Sequence, residues 1–109
     1  LIPAANTVAF YKTMTEKLDK DNVADSARLF MIPGMSHCSG GTGPNVVDML
    51  SVIDNWVTSG KAPETIIATT APVPGQKQMT RPLCPYPKVA VYKGSGSTDD
   101  AANFECKVK

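Results

Sequence analysis

Residues 31–41 of this 109-residue chain read MIPGMSHCSGG and contain its only histidine, His37. The apolar run that leads into them stops at Pro33, which cannot donate a hydrogen bond to a sheet, and at Gly34, which tolerates positive φ. More glycines follow the histidine before Pro44, so the backbone stays irregular there. The pattern predicts that His37 lies on a loop between a strand and a helix, where folds often present reactive side chains.

The residues around His37 leave two interpretations open. A lone histidine is more often a structural residue than a catalytic one. Histidine side chains in general exchange protons near neutral pH, however, so one on a loop can act as a general base when a nucleophile and an orienting acid reach it. The chain has no Gly-x-Ser-x-Gly elbow to supply that nucleophile, and Ser36 and Ser39 lie on the histidine's own loop.

Apolar spacing on both sides of the loop predicts a mixed arrangement of helices and strands. An amphipathic helix is expected from Pro3 to Leu18, followed by a solvated turn at residues 19–22. Residues 27–32 carry consecutive large apolar side chains and are expected to form a buried strand. An apolar stripe over residues 46–57 predicts a helix that packs beside this strand and ends at Gly60. The β-branched residues 65–70 predict a further strand.

The chain changes character at Pro72. Five prolines fall between positions 72 and 87, which excludes a long helix and predicts an extended segment. A short strand is expected at residues 88–92, a turn at residues 94–97 and one helical turn at residues 99–103. We therefore divide one domain into residues 1–71 and a Pro/Gly-rich extension, residues 72–109.

Composition narrows the class of protein. With 42% hydrophobic residues, 19% charged residues and a net charge of +1, the chain is suited neither to disorder nor to nucleic-acid binding. No apolar run is long enough for a membrane-spanning helix, and no signal-like segment opens the sequence. Because the chain starts Leu1-Ile2-Pro3, without methionine, we expect it to be a piece of a longer polypeptide.

Three segments together resemble the C-terminal end of the tannase and feruloyl esterase family: residues 33–41 (PGMSHCSGG), 81–87 (RPLCPYP) and 102–106 (ANFEC). The resemblance implies a secreted or periplasmic serine esterase that acts on aromatic carboxylic esters without a cofactor or metal. It implies an α/β fold, in which this chain supplies the last strands and helices of an α/β-hydrolase core and a disulfide-closed C-terminal extension.

The resemblance also implies roles for individual residues. His37 would be the general base of a Ser-His-Asp triad, and Cys38 would bond a cysteine just before the nucleophilic serine. That cysteine, the serine and the acid would all belong to a missing N-terminal part of the same protein. The acid would fall just before the Leu1-Ile2-Pro3 step.

Three cysteines leave more than one arrangement to consider. Cys84 and Cys106 enclose a segment with little core of its own, and we expect them to form a disulfide, as the oxidising compartment of the family allows. A zinc site made from His37, Cys38, Cys84 and Cys106 is a weaker alternative, because adjacent His and Cys side chains fit one tetrahedral metal poorly. The alternative function is a small secreted, disulfide-stabilised binding or structural module in which His37 is incidental.

Overall fold

The computed structural model describes residues 3–109. The first helix, α1, spans Ala4–Lys17 after Pro3, close to its predicted bounds. A second helix, α2, spans Lys20–Ser26 and overlaps the solvated turn that was predicted at residues 19–22. That prediction was wrong because Asp19 caps the new helix, its side chain accepting a hydrogen bond from the Asp21 N–H.

The third helix, α3, spans Met49–Ser59 and starts three residues later than predicted. Asp48 caps it by accepting a hydrogen bond from the Ser51 N–H at 3.0 Å, whereas Val46 forms a β-bridge with Thr69. Gly60 ends the helix, as predicted, with φ +69°. The apolar pattern over residues 46–57 therefore starts with a residue in a β-bridge, Val46, and the helix itself begins only at Met49.

Two antiparallel sheets of two strands each follow α3. β1 (Ile66–Thr69) pairs with β2 (Thr80–Leu83), and β3 (Lys88–Tyr92) pairs with β4 (Phe104–Val108) after a short 3₁₀ helix, Ala101–Asn103. The sequence did not predict β2, because its Pro82 breaks the strand pattern. Pro82 is tolerated opposite Ile67 because β2 has a free edge in the described part of the chain.

The predicted buried strand over residues 27–32 is wrong. Its backbone makes one isolated bridge, between Phe30 and Pro85, and the Tyr86 N–H donates to the Leu29 carbonyl at 2.8 Å. The bridge partner is a proline, which has no N–H with which to extend a ladder. Within residues 3–109 the segment therefore stays half-buried and mostly irregular.

The core is built on the sheet that β1 and β2 form. Ile66, Ala68 and Leu83 are buried there, and four half-buried side chains pack against them: Phe30, Ile32, Val47 and Val52. The structure contains the predicted disulfide, which links Cys84, just after β2, to Cys106 in β4. It therefore joins the two sheets.

The pairing of β1 with β2 connects the two segments expected from the sequence, residues 1–71 and 72–109. Their division stays a prediction. The described residues form helices and two small antiparallel sheets, rather than a complete α/β core. None of the helices in residues 3–109 has both the length and the hydrophobicity to cross a membrane.

Candidate active site

The loop that carries His37 folds back on itself as a narrow hairpin, which we call the histidine loop (residues 33–43). Met35 bridges Gly41, and the Ser36 N–H donates to the Gly40 carbonyl at 2.9 Å. Nearer the base, the Gly43 N–H donates to the Gly34 carbonyl at 3.1 Å. These bonds place His37 at the tip of the loop.

Close approach of the two arms explains why glycine is needed in this loop. A Cβ on Gly41 would overlap the Gly34 carbonyl oxygen, and Gly41 also has φ +108°. A Cβ on Gly43 would likewise overlap the Pro33 carbonyl oxygen. Gly40 differs, because its φ is +74° but nothing lies within 4 Å of its Cβ position.

The base of the loop is tied to the end of β1. The Asn45 and Val46 N–H groups both donate to the Thr69 carbonyl, at 3.1 and 2.9 Å. In return, the Thr69 N–H donates to the Val46 carbonyl at 3.0 Å. Pro44, which separates these bonds from the loop, is buried. The sheet therefore fixes where the loop leaves the body of the chain.

His37 is exposed, and its imidazole contacts the side chain of the next residue. Nδ1 lies 2.9 Å from the Sγ atom of Cys38. Cys38 has a positive φ of +69°, and all the other described residues with positive φ are glycines. Its thiol is free and exposed. Within residues 3–109, this is the one side-chain hydrogen bond that His37 makes.

The described residues do not assemble a catalytic triad around His37. Ser36 and Ser39 are exposed, and neither side chain hydrogen-bonds to the imidazole. The ion pairs of residues 3–109 are Arg28–Glu64 and Lys107–Glu105, so no carboxylate orients the ring. The position predicted for the acid precedes Leu1 and Ile2 and lies outside the described residues.

The alternative zinc site, with His37, Cys38, Cys84 and Cys106 as its ligands, is wrong. Cys84 and Cys106 are bonded to each other and have no thiolate to give a metal. Elsewhere in residues 3–109, no three histidine, cysteine or acidic side chains come together as ligands.

Two carboxyl groups have shifted pKa values, and both belong to structural contacts away from the histidine loop. Hydrogen bonds from the Ser51 hydroxyl and N–H hold the pKa of Asp48 below its usual range at the start of α3. A hydrogen bond from Arg28 at 2.9 Å, aided by its positive charge, lowers the pKa of Glu64. Arg28 lies two residues after α2 and also donates to the Pro63 carbonyl, so this pair joins the segment after α2 to the segment before β1.

A separate apolar cleft of about 410 Å³ lies between the base of the histidine loop and the two sheets. Met31 and Pro33 line one side, and the guanidinium of Arg81 lies there 3.9 Å from the centre of the Phe104 ring. His37 is not among its lining residues. The sequence could not indicate this cleft, because Arg81 and Phe104 come from strands in different sheets.

The family model and the similar proteins found by comparison point to the same family. A family model described as tannase and feruloyl esterase matches residues 1–107. The mono(2-hydroxyethyl) terephthalate hydrolase of Piscinibacter sakaiensis is 45% identical over 106 residues, which cover 94% of this chain and 17% of that protein. A probable feruloyl esterase of Arthroderma benhamiae is 36% identical over 110 residues, covering 97% of this chain and 20% of that protein.

Two solved structures that superpose on this chain are also esterases. An esterase from Aspergillus oryzae superposes with a TM-score of 0.83 and 31% identity, covering 98% of this chain and 25% of that one. Feruloyl esterase B from the same organism gives a TM-score of 0.85 at 25% identity, covering 97% and 24%. The chain thus spans a quarter or less of each of these four proteins. It belongs to the tannase and feruloyl esterase family.

Proposed function

We propose that this chain is the C-terminal part of a secreted or periplasmic serine esterase of α/β-hydrolase fold that hydrolyses aromatic carboxylic esters, with His37 as its general base. The observation that carries the proposal is the position of the chain's only histidine, exposed at the tip of a loop that backbone bonds and glycines hold in place. The match to an esterase family over residues 1–107 supports it.

In this mechanism, the two ring nitrogens of His37 have different tasks. Nε2 takes the proton from a serine hydroxyl as its oxygen attacks the ester carbonyl, then returns a proton to the leaving alcohol. Water repeats the sequence and releases the acid. Nδ1–H donates to an aspartate, which orients the ring and stabilises the imidazolium. The serine, the aspartate and the oxyanion hole would come from polypeptide that this chain does not span.

Cys38 has a part in this proposal because its sulfur lies at the ring nitrogen that the aspartate must reach. A disulfide from Cys38 to a cysteine beside the serine would tie the two catalytic loops together. It would also remove the thiol as a hydrogen-bonding partner for Nδ1. The exposed, free thiol at the loop tip supports such a bond.

The alternative, a small secreted binding or structural module, is not favoured. A module that stands alone gives no reason for an esterase family model to match nearly its whole length. It also leaves the close packing of glycines beneath an exposed histidine without a purpose.

A chimera tests the proposal with a known partner. In the Piscinibacter sakaiensis hydrolase, the matched segment would be replaced by these 109 residues, and hydrolysis of mono(2-hydroxyethyl) terephthalate and methyl ferulate would be measured. We expect turnover of at least one of these esters. His37→Ala should lower turnover by roughly 10⁴- to 10⁶-fold, because triad residues act as a unit. Ser39→Ala, on the same loop, is the matched control and should retain activity.

A folded chimera that is inactive, or one indifferent to His37→Ala, would refute the catalytic assignment. If the whole replacement does not fold, residues 33–43 alone can be grafted into the same hydrolase. That smaller exchange must support activity that depends on His37.

A further inference from the structure

Helix α3 has apolar side chains on two faces. Val52 packs against the core, and Trp56, one turn later, is half-buried on the same side. Leu50, Ile53 and Val57 recur at three- and four-residue intervals and form a second stripe. We call this second stripe the outer face of α3. Its side chains are 80%, 49% and 75% exposed, respectively.

The outer face reverses an expectation from the sequence. Leu50, Ile53 and Val57 belong to the stripe that was predicted to pack, and the structure instead packs the side that carries Val52. Leaving three large aliphatic side chains in water is unfavourable, because a fold gains stability when such apolar surface is buried. Polar residues occupy the remaining arc of the helix, among them Asp54, Asn55 and Thr58.

The chain exposes more accessible surface than is expected for a folded monomer of its mass. Its accessible area is 7618 Å², whereas a folded monomer of 11.6 kDa is expected to expose about 5,800 Å². Its radius of gyration is 14.9 Å, against about 13 Å for a compact domain of this length. An excess of about 1,800 Å² is comparable with one side of a large obligate interface.

We propose that the outer face of α3 is an internal interface, covered by the part of a tannase-type polypeptide that this chain does not span. The inference rests on the proposed function and names the surface through which the two parts meet. The chain spans 17% to 25% of its relatives, so three quarters or more of such a protein is available to cover this face. The occupant is apolar and packs α3 between two layers.

A second copy of the chain fits the face less well. Asp54 borders the outer face and lines the shallow groove beside it. A two-fold pairing of helices through this face would bring two such carboxylates near the axis, where like charges repel.

Thiol labelling in the chimera measures the burial directly. Leu50→Cys and Asn55→Cys place a thiol on the same helix, the first on the outer face and the second at an exposed polar position. We expect the thiol at position 50 to react with iodoacetamide at least about tenfold more slowly than the thiol at position 55, because covered sites react only through opening. Equal rates in a folded chimera would overturn the proposal.

Charge substitution provides a second measurement that does not depend on activity. Leu50→Glu should lower the yield of folded chimera and its thermal midpoint, while Asn55→Glu should leave both near those of the parent. The same pair compared in the isolated chain shows what the substitution does without the covering part. Sedimentation of the isolated chain as a dimer that Leu50→Glu dissociates would make a second copy the occupant and overturn the proposal. A folded but inactive chimera with a protected position 50 would refute the esterase proposal alone.

Discussion

The histidine loop and the disulfide-linked strands are ordered by different means. β1 pairs with β2, and β3 pairs with β4. The first pair buries Ile66, Ala68 and Leu83, and the disulfide between Cys84 and Cys106 joins the two sheets. The histidine loop buries none of its own side chains, and short backbone bonds between glycine-rich arms define it. The strands therefore stabilise themselves, whereas the loop presents a histidine to which the described residues supply neither a serine nor a carboxylate contact.

The largest expected effect on stability is in the strands. Replacing Cys84 and Cys106 by serine together should lower the free energy of unfolding by about 3 kcal/mol, because the bond closes a segment with a sequence separation of 22. Urea unfolding of the parent and the double variant measures the difference. Cys38→Ser is the control, since its thiol is free and exposed. A double variant as stable as the parent would show that the strands do not need the bond.

A smaller effect is expected in the histidine loop, where two neighbouring glycines allow a matched comparison. Gly40→Ala should cost about 1–2 kcal/mol locally, because alanine disfavours its left-handed conformation but meets no atoms. Gly41→Ala adds an overlap with the Gly34 carbonyl and should open the loop further. Hydrogen exchange at the Ser36 and Gly43 amides should quicken more in the second variant, while β1 amides stay unchanged. Equal exchange in both variants would contradict the close-packing argument.

The smallest effect concerns the pair between Arg28 and Glu64. The folded-state pKa of Glu64 lies below its ordinary value, so the unfolded state binds more protons when the pH lies between the unfolded and folded pKa values. The stabilisation is complete above the unfolded pKa and is lost as the pH falls through the folded pKa. Glu64→Gln should therefore flatten the fall in stability on acidification slightly, since the pair is largely exposed.

Thermal midpoints at pH 7 and pH 3 test this prediction, with Glu16→Gln, on an exposed face of α1, as the control. If the thermal midpoint of Glu64→Gln falls as much between pH 7 and pH 3 as that of the parent, the ion pair does not contribute to the loss of stability in acid.

Local patterns predicted much of the chain. Helix α1, the histidine loop, the end of α3 at Gly60 and the disulfide all follow from signals within a few residues or from the family resemblance. Strand pairing could not be predicted in this way. Residues 27–32 have strand composition, yet a strand needs a neighbour, and Pro85 cannot extend the ladder.

The candidate site was predictable only in part. The position of His37 on a glycine-rich loop follows from its neighbours in sequence. Its contact with Cys38 does not, because that contact accompanies a positive φ at a residue other than glycine. The choice of face on α3 also escaped prediction, since both of its apolar sides satisfy a helical period and packing alone distinguishes them.

We propose that the histidine loop is complete as a backbone but needs a serine and an aspartate from outside this chain to become a catalytic site. Ester hydrolysis by the purified 109-residue chain, measured beside the chimera on the same p-nitrophenyl ester and on methyl ferulate, tests it most directly. We predict turnover by the chimera and, for the isolated chain, no rate above that of free imidazole. Turnover by the isolated chain that disappears in its His37→Ala variant would contradict the claim, because these residues would then contain their own nucleophile.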